Sequence, residues 1–338
     1  MNWNYGFSAL YELKRVNPVS WMDAGPLDFT AGSIKRTDSD LIESAELTML
    51  ESPGETWVRV YLKARQESNG ARIPLFTGLT SVPEKTGDGT RISYKVDCYS
   101  VLKPLEDMLL PRGFYAPAGA IAGKLLKDLL CFGPAPVVVD DDSPAITEAI
   151  VAEDSTTYLH MIRMILDAVG WRLRISGDGT IRACAAAAEP SAVFDTFDND
   201  IIEPATKDHQ DWFSVPNCIR VVSGERFVEY KDDDPDRNVS TVSRQRNRGG
   251  SGEIWMNEAS PTLGDNESLA EYAIRKLKDA QAPARTVSYA RRFRPDVIVS
   301  DIVTLHLPII GIDGEFRITS QTVELGYGAR TSEEVVQV

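Results

Sequence analysis

DSTTYLHMIRMILDAVGWRLRISGDGTIRAC, residues 154–184, changes its hydrophobic period halfway along. A short side-chain oxygen on Asp154 or Ser155 can cap a helix, because it satisfies an amide that the first turn leaves free. Tyr158, Ile162, Ile165, Leu166 and Val169 then recur at helical spacing and make one apolar face. Gly170 ends the helix, since glycine enters the left-handed conformation without steric cost. From there the period is two: Trp171, Leu173 and Ile175 on one face, Arg172, Arg174 and Ser176 on the other. Gly177-Asp178-Gly179 turns the chain into a second short strand through Ile181 and Ala183. Strand-rich sequence lies on both sides of this helix-plus-hairpin unit, which therefore reads as a divider between two β-modules.

Working outward, a chain of 338 residues has room for two or three domains with real cores. Apolar content of 43% and charged content of 25% are ordinary globular values. No apolar run approaches the ~18 residues that suggest a membrane span. The first residues lack the basic-then-apolar order of a signal peptide, so cytosolic synthesis is expected. A net charge of −14 argues against general or sequence-specific nucleic-acid binding, because lysine and arginine must supply the counterion-release term. Cys98, Cys131, Cys184 and Cys218 are far apart without a C-x-x-C, which favours reduced, mostly buried thiols over zinc or disulfides.

Before the divider, residues 1–27 are aromatic enough to form a strand or an arm that packs against a neighbour. From Leu27 to Cys98 the alternations Ala45/Leu47/Met49, Val58/Val60/Leu62 and Ile92/Tyr94/Val96/Cys98 predict antiparallel strands. Gly32, Pro53-Gly54, Asn69-Gly70 and Gly87-Asp88-Gly89 punctuate them, the pattern of a barrel or sandwich. A short helix is expected from Pro104 to Leu110, a second from about Ala120 to Leu130, and a brief strand at Val137–Val139.

Beyond the divider, Ile219/Val221 and Phe227/Tyr230 flank a Gly224 turn, and 231–252 is polar and glycine-rich enough to contain a mobile loop. Ser268 and Glu271 form a capping box for a helix to about Gln281, where Pro283 forbids continuation. Strands Arg285–Phe293, Ile302–Leu307 and Phe316–Leu325 follow.

Motifs for chemistry are weak throughout, and the sequence assigns no catalytic, cofactor-binding or metal-ligating residue. Gly119 to Lys124 is one residue short of a phosphate-binding loop and has Leu125 where a magnesium-binding hydroxyl belongs, so close helix packing explains it better. His160, His209 and His306 are scattered, and His160 reads as a core or boundary side chain. The acidic runs at Asp140–Asp142, Asp195–Glu203 and Asp232–Asp236 lack calcium-loop spacing. Arg285, Arg291, Arg292 and Arg294, like Arg244, Arg246 and Arg248, could grip a polyanion or acidic partner, but an exposed strand face is the better reading.

LFTGLTSVPEKTGDGTRISYKVDCYSVLKPLEDMLL (residues 75–110) and PDVIVSDIVTLHLPIIGIDGEFRITSQTVELG (residues 295–326) resemble the ends of the two barrels in central tail and baseplate hub proteins of tailed phages and contractile injection systems. The resemblance spans roughly residues 27–330 and rests on the order of strand patterns. It implies an α+β, multidomain chain with two antiparallel β-barrel-like modules separated by an α/β insert. The implied boundaries are an arm at 1–26, a first barrel module at 27–103, a middle region at 104–205 with helices about 120–130 and 155–169, and a second barrel module at 206–338 with a helix about 268–281. It further implies a non-enzymatic virion protein, a homotrimer adapting a six-fold tail tube to a three-fold tail tip around the DNA exit channel. Implied partners are further copies of itself, the tail tube or distal tail protein, a tail-tip or spike protein and the tape measure protein. The chain is expected to lack the C-terminal peptidase or lysozyme-like domain of some relatives. The competing expectations are a cell-wall or glycan hydrolase with an acidic pair, and a carbohydrate- or receptor-binding tail component.

Overall fold

The computed structural model describes residues 3, 5–38, 42–66, 69–87, 92–185, 189–195, 207–210, 213–223, 226–259, 268–281, 285–326, 328 and 330–338. The expected turns at Asp88-Gly89 and Gly224, the stop at Pro283 and the acidic stretch 196–203 lie outside these residues. The chain forms two compact units, Met1–Thr206 with Ser288–Val336, and Lys207–Val287.

The first unit opens with β1 (Ser8–Val16), β2 (Asp23–Leu27), β3 (Phe29–Thr37), β4 (Glu43–Met49), β5 (Trp57–Gln66), β6 (Asn69–Thr80), β7 (Glu84–Gly87) and β8 (Ile92–Ser100). A mixed segment follows: α1 (Lys103–Asp107), β9 (Tyr115–Ala116), α2 (Ala122–Leu130), β10 (Val137–Val139), β11 (Ile150–Val151), α3 (Tyr158–Val169), β12 (Trp171–Ile175), β13 (Ile181–Ala185) and β14 (Pro190–Asp195). The second unit holds β15 (Lys207–Gln210), β16 (Cys218–Ser223), β17 (Arg226–Lys231), α4 (Thr241–Arg248), β18 (Trp255–Ala259) and α5 (Leu269–Gln281). The chain then returns to the first unit with β19 (Arg285–Arg292, from residue 288 on), β20 (Ile302–Leu307), β21 (Ile312–Leu325) and β22 (Arg330–Gln337).

The early and late strands of the first unit share one sheet, in the order β19-β22-β21-β3-β4-β8-β6-β5-β1-β2. The seam is antiparallel pairing of β21 with β3, from Ser320↔Thr37 to Leu325↔Gly32. The chain is mostly β, with several sheets and no closed barrel among the described residues. Residues 8–16, expected as a strand or an arm, are a sheet strand between β2 and β5.

Period-two alternation builds this sheet's core. Leu13, Ile34, Leu47, Val58, Val60, Leu62, Val96 and Val323 are all buried in one cluster, so one face of strands from both ends of the chain packs on common ground. A second cluster belongs to the mixed segment, where Leu126 and Leu130 of α2 meet Met161, Ile162 and Ile165 of α3 and Ile181 of β13. The α3 cap is Thr157 rather than Asp154 or Ser155: its Oγ1 accepts from the His160 amide at 3.2 Å, and the helix begins one turn later than expected. Gly170 closes α3 at φ 66°, as its position predicts.

In the second unit β16 pairs antiparallel with β17 and parallel with β18. Ile219 and Val221 pack against Tyr272, Ala273 and Leu277 of α5. The capping box forms, with the Ser268 amide donating to Glu271 Oε2 at 2.9 Å and the Glu271 amide to Ser268 Oγ at 3.3 Å. The polar stretch read as a loop contains helix α4 instead. Ser240 caps it through the Ser243 amide, and buried Asn217 ties its flanks by donating to Val239 O at 3.0 Å and Gly252 O at 2.8 Å. Those contacts are tertiary, so composition alone could not reveal the helix.

Candidate functional site: the clasped hairpin and its cavity

The β12–β13 hairpin is fastened to the main sheet at its tip and along its flank. At the tip, three donors capture two backbone carbonyls: Thr77 Oγ1 donates to Gly177 O at 2.8 Å, and Arg59 Nη2 and Trp21 Nε1 donate to Asp178 O at 2.8 and 2.9 Å. Arg59, on the face of β5 opposite Val58, Val60 and Leu62, is only 6% exposed because the hairpin covers it. Asp23 fixes the donors from behind, accepting from Tyr61 Oη at 2.9 Å and pairing with Arg59 and Arg72 at 3.3 and 3.1 Å. Trp21 adopts φ 55°, a left-handed conformation that is costly for a bulky residue. A Cβ on Gly177 would stand 1.9 Å from Pro74 O, so this approach admits only glycine.

Along the flank, Arg172 bonds Asp38 and Arg174 bonds Asp301. Asp38 also accepts from Ser300 Oγ at 2.8 Å, and Asp301 from the Ile298 amide at 3.0 Å. The hairpin thereby touches β5–β6 on one side and the turn before β20 on the other, linking early and late parts of the chain within one unit.

A buried polar ladder crosses the seam itself, drawing two side chains from β19 and one each from β22, β21, β3 and β4. On β19, Arg291 grips Glu333 of β22 in a two-pronged pair at 2.8 and 2.7 Å, both side chains fully buried. Tyr289 Oη and Gln321 Nε2 each donate to the same carboxylate at 2.7 Å. Burial and the neighbouring Glu333 push the Tyr289 phenol well above its usual range. Across the seam Arg36 Nη1 donates to Gln321 Oε1 at 2.8 Å, and Arg36 Nε lies 3.5 Å from Glu43 Oε2. Arg36 faces Gln321 on one neighbouring strand and Glu43 on the other, so backbone register sets both contacts. Burial pushes the Glu43 carboxyl up to about 8, with Arg36 pulling the other way. Its Oε1 has no hydrogen-bond partner.

Between α3, β12 and the ladder lies a cavity of about 310 Å³, lined by Glu43, Arg172, Arg174, Leu166, Ile298 and Val299 among others.

The groups weighed from sequence do not converge here. His160 is exposed rather than a core or boundary residue, because the α3 face it occupies points away from the packed cluster. His306 pairs with Asp313 at 3.3 Å, and the side chain of His209 lies outside the described residues. Gly123 sits in α2 where a Cβ would meet Ser143 at 2.7 Å, so close helix packing accounts for that glycine. Arg291 and Arg294 are buried, 0% and 8% exposed, and Arg244 is 3% exposed, against the expected exposed face; Glu333 and Phe194 enclose Arg291. Asp140 pairs with Arg182 and Asp232 with Arg237. Cys98, Cys184 and Cys218 are buried and Cys131 is exposed, all four as free thiols. Among the described residues no group of three His, Cys, Asp or Glu side chains could hold a metal ion, and no helix is long and apolar enough to cross a membrane. Sequence reasoning missed the ladder entirely, since its members come from five strands.

No family model matches the chain, and no curated protein matches its sequence. Solved structures do match. A tail protein from Neisseria meningitidis MC58 superposes with a TM-score of 0.69 at 15% identity, covering 98% of this chain and 97% of that one. The 43 kDa tail protein of prophage MuSo2 from Shewanella oneidensis gives 0.67 at 14% identity, covering 98% of each. Prophage tail protein gp18 from Listeria monocytogenes gives 0.56 at 12% identity, over 96% of this chain and 94% of that one. The chain therefore has the fold of phage tail proteins, over nearly its whole length.

Proposed function

We propose that this chain is a structural virion protein, the homotrimeric hub of a phage tail or baseplate. Three copies close a ring around the DNA exit channel, with the modules at 27–103 and 206–338 presenting six quasi-equivalent surfaces to the tail tube and three-fold symmetry to the tail tip. The observation that carries this reading is the whole-chain fold likeness to tail proteins from two different hosts. A closed ring needs matched edges, and a doubled β-module lets a trimer meet a hexamer with every contact filled. A net charge of −14 suits a channel through which DNA slides without being held. In this reading the partners are other copies of the chain, the tail tube or distal tail protein, a tail-tip or spike protein and the tape measure protein. Assembly takes place in the host bacterial cytoplasm, and the role is non-enzymatic. Electron microscopy of the assembled tail, with this chain labelled, is expected to find three copies between tube and tip. A label elsewhere on the particle, or cell-wall lysis abolished by a single Asp or Glu substitution, overturns the proposal.

A further inference from the structure

Three independent features meet at the cavity beside β12. The first is an orphan acid: Glu43, with a side chain 1% exposed, lines the cavity, and its Oε1 lacks a hydrogen-bond partner. A buried polar atom left unpaired is costly and calls for an occupant. The second is backbone strain. Of the three non-glycine residues at positive φ among the described residues, two line this one cavity, Ile42 at 65° and Ser300 at 71°. Left-handed backbone at a β-branched residue persists only where the surroundings impose it, and such residues gather at ligand clamps. The third is donor surplus. Arg172 and Arg174 each bond one aspartate through one nitrogen, and a guanidinium carries five N–H donors. Asp38 is already engaged by Arg172 and Ser300, while Asp167 stands at the exposed mouth. Leu166, Ile298 and Val299 supply an apolar wall. A volume of about 310 Å³ equals roughly ten waters, small for a drug-sized ligand but ample for a short chain or one ring.

We propose that this cavity binds a carboxylate on a short apolar stem, with the arginine N–H groups on the carboxylate, the otherwise unpartnered Glu43 carboxyl hydrogen-bonded to it, and the stem against Leu166, Ile298 and Val299. The same chemistry is offered by a free organic acid and by the carboxy-terminal residue of a partner chain.

Full-length protein in carboxylate-free buffer is titrated with phenylacetate and, in parallel, with the tripeptide Ala-Leu-Phe, each against its amide, by methyl NMR and calorimetry. Saturable binding on the order of 1 mM or tighter is expected for the acids, with shifts at the Leu166 and Val299 methyls, and at least tenfold weaker binding for the amides. A tighter free tripeptide identifies a chain end as the occupant, and tighter phenylacetate a small acid. Glu43→Leu, which replaces the orphan carboxyl with an apolar side chain, is expected to weaken binding at least tenfold. Val299→Phe, which fills the cavity and leaves the polar groups in place, does the same should the first variant not fold. Acids that fail to saturate by about 20 mM, amides that bind equally well, or affinity unchanged in the folded variants overturns the proposal.

Discussion

The hairpin tip and the polar ladder fasten the same sheet by opposite means. At the tip, side chains from β5, β6 and the loop before β2 reach for backbone carbonyls, and the hairpin contributes almost no side chain of its own. In the ladder the backbone register is ordinary and the side chains carry everything, with a buried charge pair satisfied by four donated hydrogen bonds. The tip therefore tolerates changes in chemistry but not in size. The ladder tolerates neither, because losing one member strands the others in a dry interior.

Substitutions separate the two. The largest effect is expected for Glu333→Ala, which leaves Arg291 charged and unpaired at 0% exposure and should cost about 3–5 kcal/mol in denaturant unfolding. Replacing Arg291 and Glu333 together with apolar residues of similar volume should recover most of that loss, and a double variant no better than the single would break the comparison. Gly177→Ala comes next, at about 3 kcal/mol, since its Cβ collides with backbone at Pro74 rather than with a movable side chain. Trp21→Phe removes one donor from Asp178 O while keeping most of the ring, and about 1 kcal/mol is expected. Equal losses for Gly177→Ala and Trp21→Phe would refute the claim that size dominates at the tip.

Glu43 sharpens the contrast through pH. Its carboxyl keeps a proton up to about pH 8 in the folded chain, whereas the unfolded chain loses it near the ordinary value of 4.5. The folded state therefore binds more protons across that window, and stability falls as pH rises through it. Glu43→Gln abolishes this dependence, so the stability gap between variant and wild type should widen in the variant's favour from pH 5 to pH 8. A gap that stays constant would mean that Arg36 holds Glu43 ionised throughout.

Legibility in the sequence follows the same division. The α3–β12–β13 unit was readable because its signals are local: helical spacing, Gly170, an alternating strand and a Gly-Asp-Gly turn. The role of that turn was not, since nothing near residue 177 says that Pro74 lies against it. The burial of Arg59 was not legible either, because alternation along β5 is blind to what covers the second face. The ladder joins residues 36, 43, 289, 291, 321 and 333, and only sheet order brings them together. For the same reason the pairing of β21 with β3, which joins strands from both ends of the chain in one sheet, was out of reach: period-two patterns reveal strands but not their neighbours. Strands β14, β18 and β22 went unrecognised, being short, edge-like or rich in charged residues.

In the proposed reading function turns on assembly, so mass tests that reading most directly. Native mass spectrometry of the full chain should give a species of three 37.3 kDa subunits that persists on dilution into the micromolar range. A chain that remains monomeric at high concentration would contradict the hub account.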